Sequence, residues 1–113
     1  MSNICILFGE IPVSSKSGVM DLQKILARRV YLDTFDYQSA GNMLILDAGF
    51  DSLGLIGWLE KYVYKKIAQL VPKDAYGRLY FKEGQFFSCV YFTHKRYKIV
   101  DYQEPGPPEW WGG

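Results

Sequence analysis

The segment Arg78–Tyr102, with the sequence RLYFKEGQFFSCVYFTHKRYKIVDY, decides the fold class of this chain. Aromatic and β-branched residues alternate with polar ones through it, as they do in half-buried strands. Glu83-Gly84 is a turn-forming pair, and the chain reverses again near Lys95-Arg96. We therefore predict a three-stranded antiparallel meander over residues 78–102.

Alternation along this meander sorts its side chains onto two faces. If Glu83-Gly84 is a two-residue turn, Phe81 faces Phe86 on a nearly apolar face that should pack against helices. This dry face carries Leu79, Phe81, Phe86, Val90, Phe92 and Ile99. The other face, called here the mixed face, combines rings with basic groups: Arg78, Tyr80, Lys82, Phe87, Cys89, Tyr91, Thr93, Lys98 and Tyr102.

The first half of the chain adds strands. The short apolar run Ile4–Phe8, which Gly9 ends, predicts a buried strand. Extended patterns at residues 30–37 and 43–47 flank a turn-like segment at 39–42. These two segments predict a β-hairpin.

Helical spacing of apolar residues marks two helices, at about 18–29 and about 51–70. Ser17 precedes the first helix and Asp51 precedes the second, and both residue types are favoured N-caps. Pro72 ends the second helix because a proline lacks the amide hydrogen that a helix interior needs.

The expected fold class is therefore α+β, with a mixed, mainly antiparallel sheet of about five to six strands packed against two helices. A chain of 113 residues has the size of one domain, so residues 1–113 are expected to share a single core. Residues 104–113 form a Pro/Trp-rich C-terminal tail.

Composition excludes several classes of partner. A net charge of +1 argues against a protein dedicated to the DNA backbone, which would carry a marked excess of Lys and Arg. No apolar stretch approaches the roughly 20 residues of a membrane span. Residues after Met1 lack a basic region and a cleavage site, and Cys5 and Cys89 lie in apolar runs. We expect a cytoplasmic protein with buried thiols and no membrane partner.

Catalytic and metal-binding patterns are weak. Cys89 and His94 are five residues apart on one predicted strand, so they point to opposite faces, whereas a pairing of Cys5 with His94 stays open. One histidine and two separated cysteines do not have the spacing of metal ligands. The aspartates at 33, 36, 47 and 51 are more simply strand-edge or capping residues. We therefore expect no enzyme activity, no catalytic or metal-binding residues and no cofactor.

The segment Asp47–Leu53, DAGFDSL, resembles the phosphopantetheine-attachment segment of acyl carrier proteins over about fifteen residues. In that family the serine of the Asp-Ser-Leu triplet carries the prosthetic arm, so the resemblance implies modification at Ser52. It also implies a small all-helical bundle. A carrier protein modified at Ser52 is the lesser alternative for the function.

Two features carry a binding hypothesis: the mixed face and the tail. Pro107-Pro108 stiffens the chain before Trp110 and Trp111. These rings either fold back to fill a gap at the sheet edge or anchor a partner, since Trp is enriched at interface hot spots. The predicted partner-binding residues are Arg78, Tyr80, Tyr91, Lys98, Tyr102, Trp110 and Trp111.

Elimination leaves a small non-catalytic binding protein that acts by occluding a partner protein. Stand-alone domains of this size are typical of toxin-neutralising immunity proteins, phage-encoded inhibitors and secretion adaptors, which points to a bacterial or phage source. The alternative is a single-stranded nucleic-acid-binding module, in which rings stack on bases and cations meet phosphates. That module would use Arg78, Tyr80, Lys82, Tyr91 and Lys98. The partner's identity and the oligomeric state stay open.

Overall fold

Six strands form one antiparallel sheet in the computed structural model, which describes residues 4–51, 55–83, 86–101 and 107–112. The strands are β1 Ile4–Pro12, β2 Tyr31–Gln38, β3 Met43–Asp51, β4 Gly77–Glu83, β5 Phe86–Thr93 and β6 Arg96–Asp101. Their order is β2-β3-β1-β4-β5-β6, and all five pairings are antiparallel. The predicted α+β class is confirmed, and the N-terminal strand lies at the centre of the sheet.

Two helical segments cover one face of this sheet. The first is α1, Lys16–Ala27, and the second is α2, residues 55–70. α2 is α-helical over Leu55–Trp58, π-helical over Leu59–Tyr64 and α-helical again over Lys65–Leu70. Among the described residues, no helix has both the length and the apolar character needed to cross a membrane.

The core lies between the helices and the dry face. Leu22 and Leu26 of α1 and Ile67 of α2 are fully buried, as are Leu79 and Val90 on the sheet. Each such side chain contributes about 1.5–3 kcal/mol by leaving water. The prediction that the dry face packs on the helices is confirmed, and Phe86 is its most exposed ring at 46%.

The start of α1 differs from the prediction. The helix covers Lys16–Ala27 instead of 18–29, and Ser15 is its N-cap instead of Ser17. The Ser15 side chain accepts a hydrogen bond of 3.2 Å from the Gly18 amide. A tertiary contact fixes this position, because the Ser14 amide donates to the Leu70 carbonyl at 2.8 Å. The chain therefore enters the helix at Ser15.

Two strands continue past the residues at which the sequence predicts that they end, which are Gly9 for β1 and Asp47 for β3. β1 continues through Gly9, which has φ 153°, and a side chain there would overlap the carbonyl oxygen of Arg78 on β4. β3 continues through Gly49 to Asp51. Asp51 therefore belongs to β3 and not to the helix predicted over about 51–70, while residues 52–54 lie outside the described residues. Pairing with β1 along its whole length holds these residues in the sheet.

The register of the meander also differs, although its faces do not. Glu83 pairs with Phe86, so Glu83 belongs to β4 and not to the turn, and Phe81 faces Ser88. Gly84 lies outside the described residues. The register has moved by two residues, and alternation has a period of two, so every described side chain stays on its predicted face. The next reversal comes one residue early, since Thr93 pairs with Arg96.

Candidate functional site

The sheet face opposite the helices, called here the open face, extends the mixed face across all six strands. On β1–β3 it carries the partly exposed apolar residues Ile6, Phe8, Met43 and Ile45, together with Glu10, Asp36 and Asp47. On β4–β6 it carries Arg78, Tyr80, Lys82, Phe87, Cys89, Tyr91, Arg96, Lys98 and Val100. No described helix covers it, because both helices pack on the dry face.

The C-terminal tail folds back onto the β4–β6 half of the open face. The Trp111 indole N–H donates to the Gly77 carbonyl at 3.0 Å, and its ring meets the Tyr91 ring edge-on with centroids 4.8 Å apart. Trp110 and Trp111 pack on a small cluster of Cys89, Tyr91 and Val100. The rings therefore cover part of the mixed face instead of filling a gap at the sheet edge.

Arginine side chains bind the rings of this cluster by cation–π contacts. The Arg78 guanidinium lies 5.1 Å from the Tyr80 ring centroid and 5.4 Å from that of Trp111. Arg96 lies 5.5 Å from the Trp110 ring. Each contact contributes roughly 0.5–1 kcal/mol at an exposed site. The rings orient both guanidinium groups while their charge stays accessible.

The basic side chains of the open face form no ion pair within the described part of the chain, although Glu10 lies opposite Arg78 in the register. The ion pair found there joins Lys66 and Asp21 at 3.9 Å, on the helical side of the molecule. Arg78, Lys82 and Lys98 are all exposed. Their charges are therefore available to groups outside the chain.

A cleft of about 410 Å³ lies where the folded tail meets the centre of the open face. Its walls come from β1, β3, β4 and the tail. The lining residues are Gly9, Glu10, Pro12, Met43, Tyr76, Gly77, Arg78, Tyr80 and Trp111. The cleft marks the border of the half of the open face on which the described tail residues pack.

The structure brings most of the predicted partner-binding residues together. Arg78, Tyr80, Tyr91, Trp110 and Trp111 form one contiguous group. On the adjacent strand, residue 98 (Lys) lies opposite residue 91 in the register. The predicted residue at position 102 (Tyr) lies outside the described residues.

Sequence reasoning missed Arg96. The sequence pattern predicts a turn there, but Arg96 begins β6 and contacts Trp110. Register alone could have found it, because Arg96 lies two residues from Lys98 and so shares its face.

Burial changes the acidity of the cluster beneath the tail. It raises the pKa of the Cys89 thiol, while Tyr91 and Arg78 act in the opposite direction. It also raises the pKa of Tyr91. Burial therefore favours the protonated, neutral form of both groups.

The candidate thiol and imidazole lie at opposite ends of the sheet. The Cys5 thiol donates to a Glu83 carboxylate oxygen at 2.9 Å, at the last residue of β4. His94 follows β5 near the first residues of β4, with its Nδ1 2.8 Å from the Val71 carbonyl oxygen. The structure does not bring Cys5 and His94 together. In the described ranges, no three His, Cys, Asp or Glu side chains group closely enough to hold a metal ion.

The carrier-protein resemblance covers a segment with a different local structure. Residues 47–51 belong to β3, and Ser52 lies outside the described residues. The all-helical bundle that the resemblance implies is not the fold of this chain, which has a six-stranded sheet. The likeness is therefore local.

Comparison with protein families, with curated proteins and with solved structures returned no match for this chain. Its function is therefore inferred from the geometry of the open face.

Proposed function

We propose that this protein is a non-catalytic binding protein whose open face occludes a functional surface of another protein, in the manner of an immunity protein or a phage-encoded inhibitor. The proposal rests on the observation that both helices pack on the same face of the sheet and leave the open face without a helix. Ile6 is 38% exposed on the open face, and the neighbouring Phe8 and Ile45 are partly exposed. Apolar surface flanked by charged groups is typical of protein interfaces.

The rigidity of the open face supports the same proposal. Phe8 and Tyr80 stack at 5.2 Å in the middle of the sheet, and Arg78 is oriented by Tyr80 and Trp111. Aromatic and arginine side chains that are already fixed lose little entropy when a partner docks. A preorganised face of this kind suits steric occlusion better than chemistry.

A matched pair of surface variants tests the proposal. Ile6→Glu places a charge on the open face, and Met20→Glu makes the same change at a residue that is 45% exposed on α1, behind the sheet. Wild-type protein and both variants are immobilised and mixed with native lysate of the cells that encode the protein. We expect at least one protein to be retained by wild type and Met20→Glu and lost by Ile6→Glu.

Identical retention by all three proteins would contradict the proposal, as would equal loss by both variants. Circular dichroism of each variant checks that both are folded, so that a loss can be assigned to the surface. Adding this protein to an activity assay of the purified partner then shows whether binding occludes the partner's function.

Single-stranded nucleic acid is the second candidate, and the basic residues of the β4–β6 half favour it. Arg78, Lys82, Arg96 and Lys98 all lie on that half of the open face. However, Tyr91 is only 6% exposed beneath Trp111, so no base can stack on it while the tail is folded back. Binding to a labelled oligonucleotide that weakens steeply with salt would support this candidate, and absence of binding at low salt would exclude it.

A further inference from the structure

The charges of the open face separate by strand. β1, β2 and β3 contain no Lys or Arg, and the charges that they place on the open face are acidic, among them Glu10, Asp36 and Asp47. The charged residues that β4, β5 and β6 place on the open face are all basic, since the register puts their acidic residues 83 and 101 on the dry face. The strands of one half of the open face therefore carry acidic residues, and the strands of the other half carry basic residues.

This separation is sharpest along one row of paired residues that crosses the whole sheet. From the β2 edge to the β6 edge, the row consists of Asp36, Ile45, Glu10, Arg78, Tyr91 and Lys98. Its chemical order is acid, apolar, acid, base, aromatic, base. When this row is laid over a second copy of itself in reverse order, each acid lies opposite a base and the apolar residue lies opposite the aromatic one.

A two-fold axis parallel to the strands reverses such a row. If two copies stack their open faces about an axis between β1 and β4, the first strand of one copy lies over the sixth strand of the other. Asp36 then meets Lys98, Glu10 meets Arg78, and Ile45 meets the Trp111 ring that covers Tyr91. Each of these contacts occurs twice, which is the property of an isologous interface.

We infer that the open face is the interface of a two-fold symmetric homodimer, with the acidic half of each copy on the basic half of the other. The stacked Phe8 and Tyr80 rings, 5.2 Å apart on the two central strands, lie at the axis. Face-to-face sheets pack about 10 Å apart with their strands within about 30° of alignment, which this arrangement allows.

The relief and area of the open face fit a second copy. The folded tail packs on the β4–β6 half and borders the cleft that Met43 and Glu10 of the β1–β3 half line. The axis places each tail over the β1–β3 half of the other copy. Six strands about 4.8 Å apart and about seven residues long give a flat area of roughly 650 Å². With side-chain relief, this approaches the roughly 800 Å² per partner of a stable interface.

The inference goes beyond the proposed function and takes from it only the premise that the open face binds protein. A target protein and a second copy would then compete for the same face. The dimer would be the resting form, and the target would bind the monomer.

Charge exchange between the two edges of the row tests the inference. Asp36→Lys and Lys98→Glu each place like charges opposite each other twice in the homodimer, so each variant alone should dimerise at least about tenfold more weakly than wild type. In an equal mixture, the lysine introduced at position 36 of one copy faces the glutamate introduced at position 98 of the other, while the second site keeps its native pair. We expect sedimentation equilibrium to show that the mixture recovers the dimer.

Lys65→Glu is the matched control, because Lys65 is exposed on α2, behind the sheet, and the substitution makes the same change in net charge as Lys98→Glu. It should dimerise as wild type does. Raising the salt concentration should weaken the wild-type dimer, because screening reduces contacts between exposed charges. A wild-type protein that is monomeric at about 100 µM, or a mixture that dimerises no better than its components, overturns the inference.

The outcomes separate this inference from the proposed function. If the wild-type protein is monomeric and Ile6→Glu still abolishes retention of a lysate protein, the dimer is refuted and target binding is supported. A dimer with charge-exchange rescue but unchanged lysate partners supports the dimer and refutes target occlusion.

Discussion

Removing the Trp111 side chain tests the central feature of the open face, its folded tail. A Trp side chain buries about 150–250 Å², which corresponds to about 4–6 kcal/mol at 25 cal/mol per Å². This is an upper limit, because Trp111 stays partly exposed and a released tail regains conformational entropy. We expect Trp111→Ala to lower the free energy of unfolding by about 2–3 kcal/mol.

The contacts of Trp111 predict a graded series. Trp111→Phe retains a ring against Tyr91 but loses the 3.0 Å hydrogen bond to the Gly77 carbonyl, which contributes about 1 kcal/mol. Trp111→Phe should therefore fall between wild type and Trp111→Ala. Urea unfolding followed by far-ultraviolet circular dichroism measures the series, since this signal does not depend on the substituted ring.

Thiol labelling gives a second readout that a general loss of stability does not mimic. Cys89 is 8% exposed in the cluster beneath Trp110 and Trp111, whereas Cys5 is buried in the main core. Release of the tail should expose Cys89 and let its raised pKa fall, so its alkylation should accelerate while that of Cys5 does not. Mass spectrometry distinguishes the two sites. A loss below about 0.5 kcal/mol with unchanged Cys89 labelling would refute a packed tail.

The remaining predictions concern backbone geometry and acidity. Gly9→Ala should destabilise the protein by about 3 kcal/mol or more in urea unfolding, because the added methyl group would overlap a neighbouring carbonyl oxygen. Gly57→Ala has open space around the added methyl group, so it should be neutral or stabilising by about 0.5–1 kcal/mol. Ser15→Ala should cost about 1 kcal/mol by removing the N-cap of α1, whereas Ser17→Ala should be nearly neutral by the same measurement; equal costs would contradict the cap assignment. Burial, with a smaller effect of nearby charge, raises the pKa of Tyr64 above its ordinary value of about 10. Its contribution to stability is therefore complete below pH 10 and declines as pH rises through the folded-state pKa, so Tyr64→Phe should flatten the fall in urea midpoint between about pH 9 and 11.

Local chemistry predicted the elements that depend on neighbouring residues. The hairpin of β2 and β3 around residues 39–42 follows from its alternating pattern and turn residues, and so does the meander of β4–β6. The two faces of the meander were also predicted, because a shift of two residues in register cannot move a side chain across the sheet. The register itself was wrong at Phe81, since Glu83 extends β4 by pairing with Phe86.

Other features depended on partners distant in sequence. Gly49 would end an isolated strand, but pairing with β1 carries β3 on to Asp51. Ser15 is selected over Ser17 as a helix cap by the contact between Ser14 and Leu70. Neither contact can be predicted from the residues that neighbour it in the sequence.

By itself, the sequence determined the fold class, the two helices, the strand alternation and the aromatic-basic character of the mixed face, because each follows from periodicity or composition over a few residues. Only the tertiary structure decided which strands are neighbours, where the Trp tail lies and how the charges of distant strands combine. Asp36 and Lys98 are separated by most of the chain, and the strand order β2-β3-β1-β4-β5-β6 alone places them at opposite ends of one row. Strand order is set by long-range packing of the core, which short-range patterns do not encode.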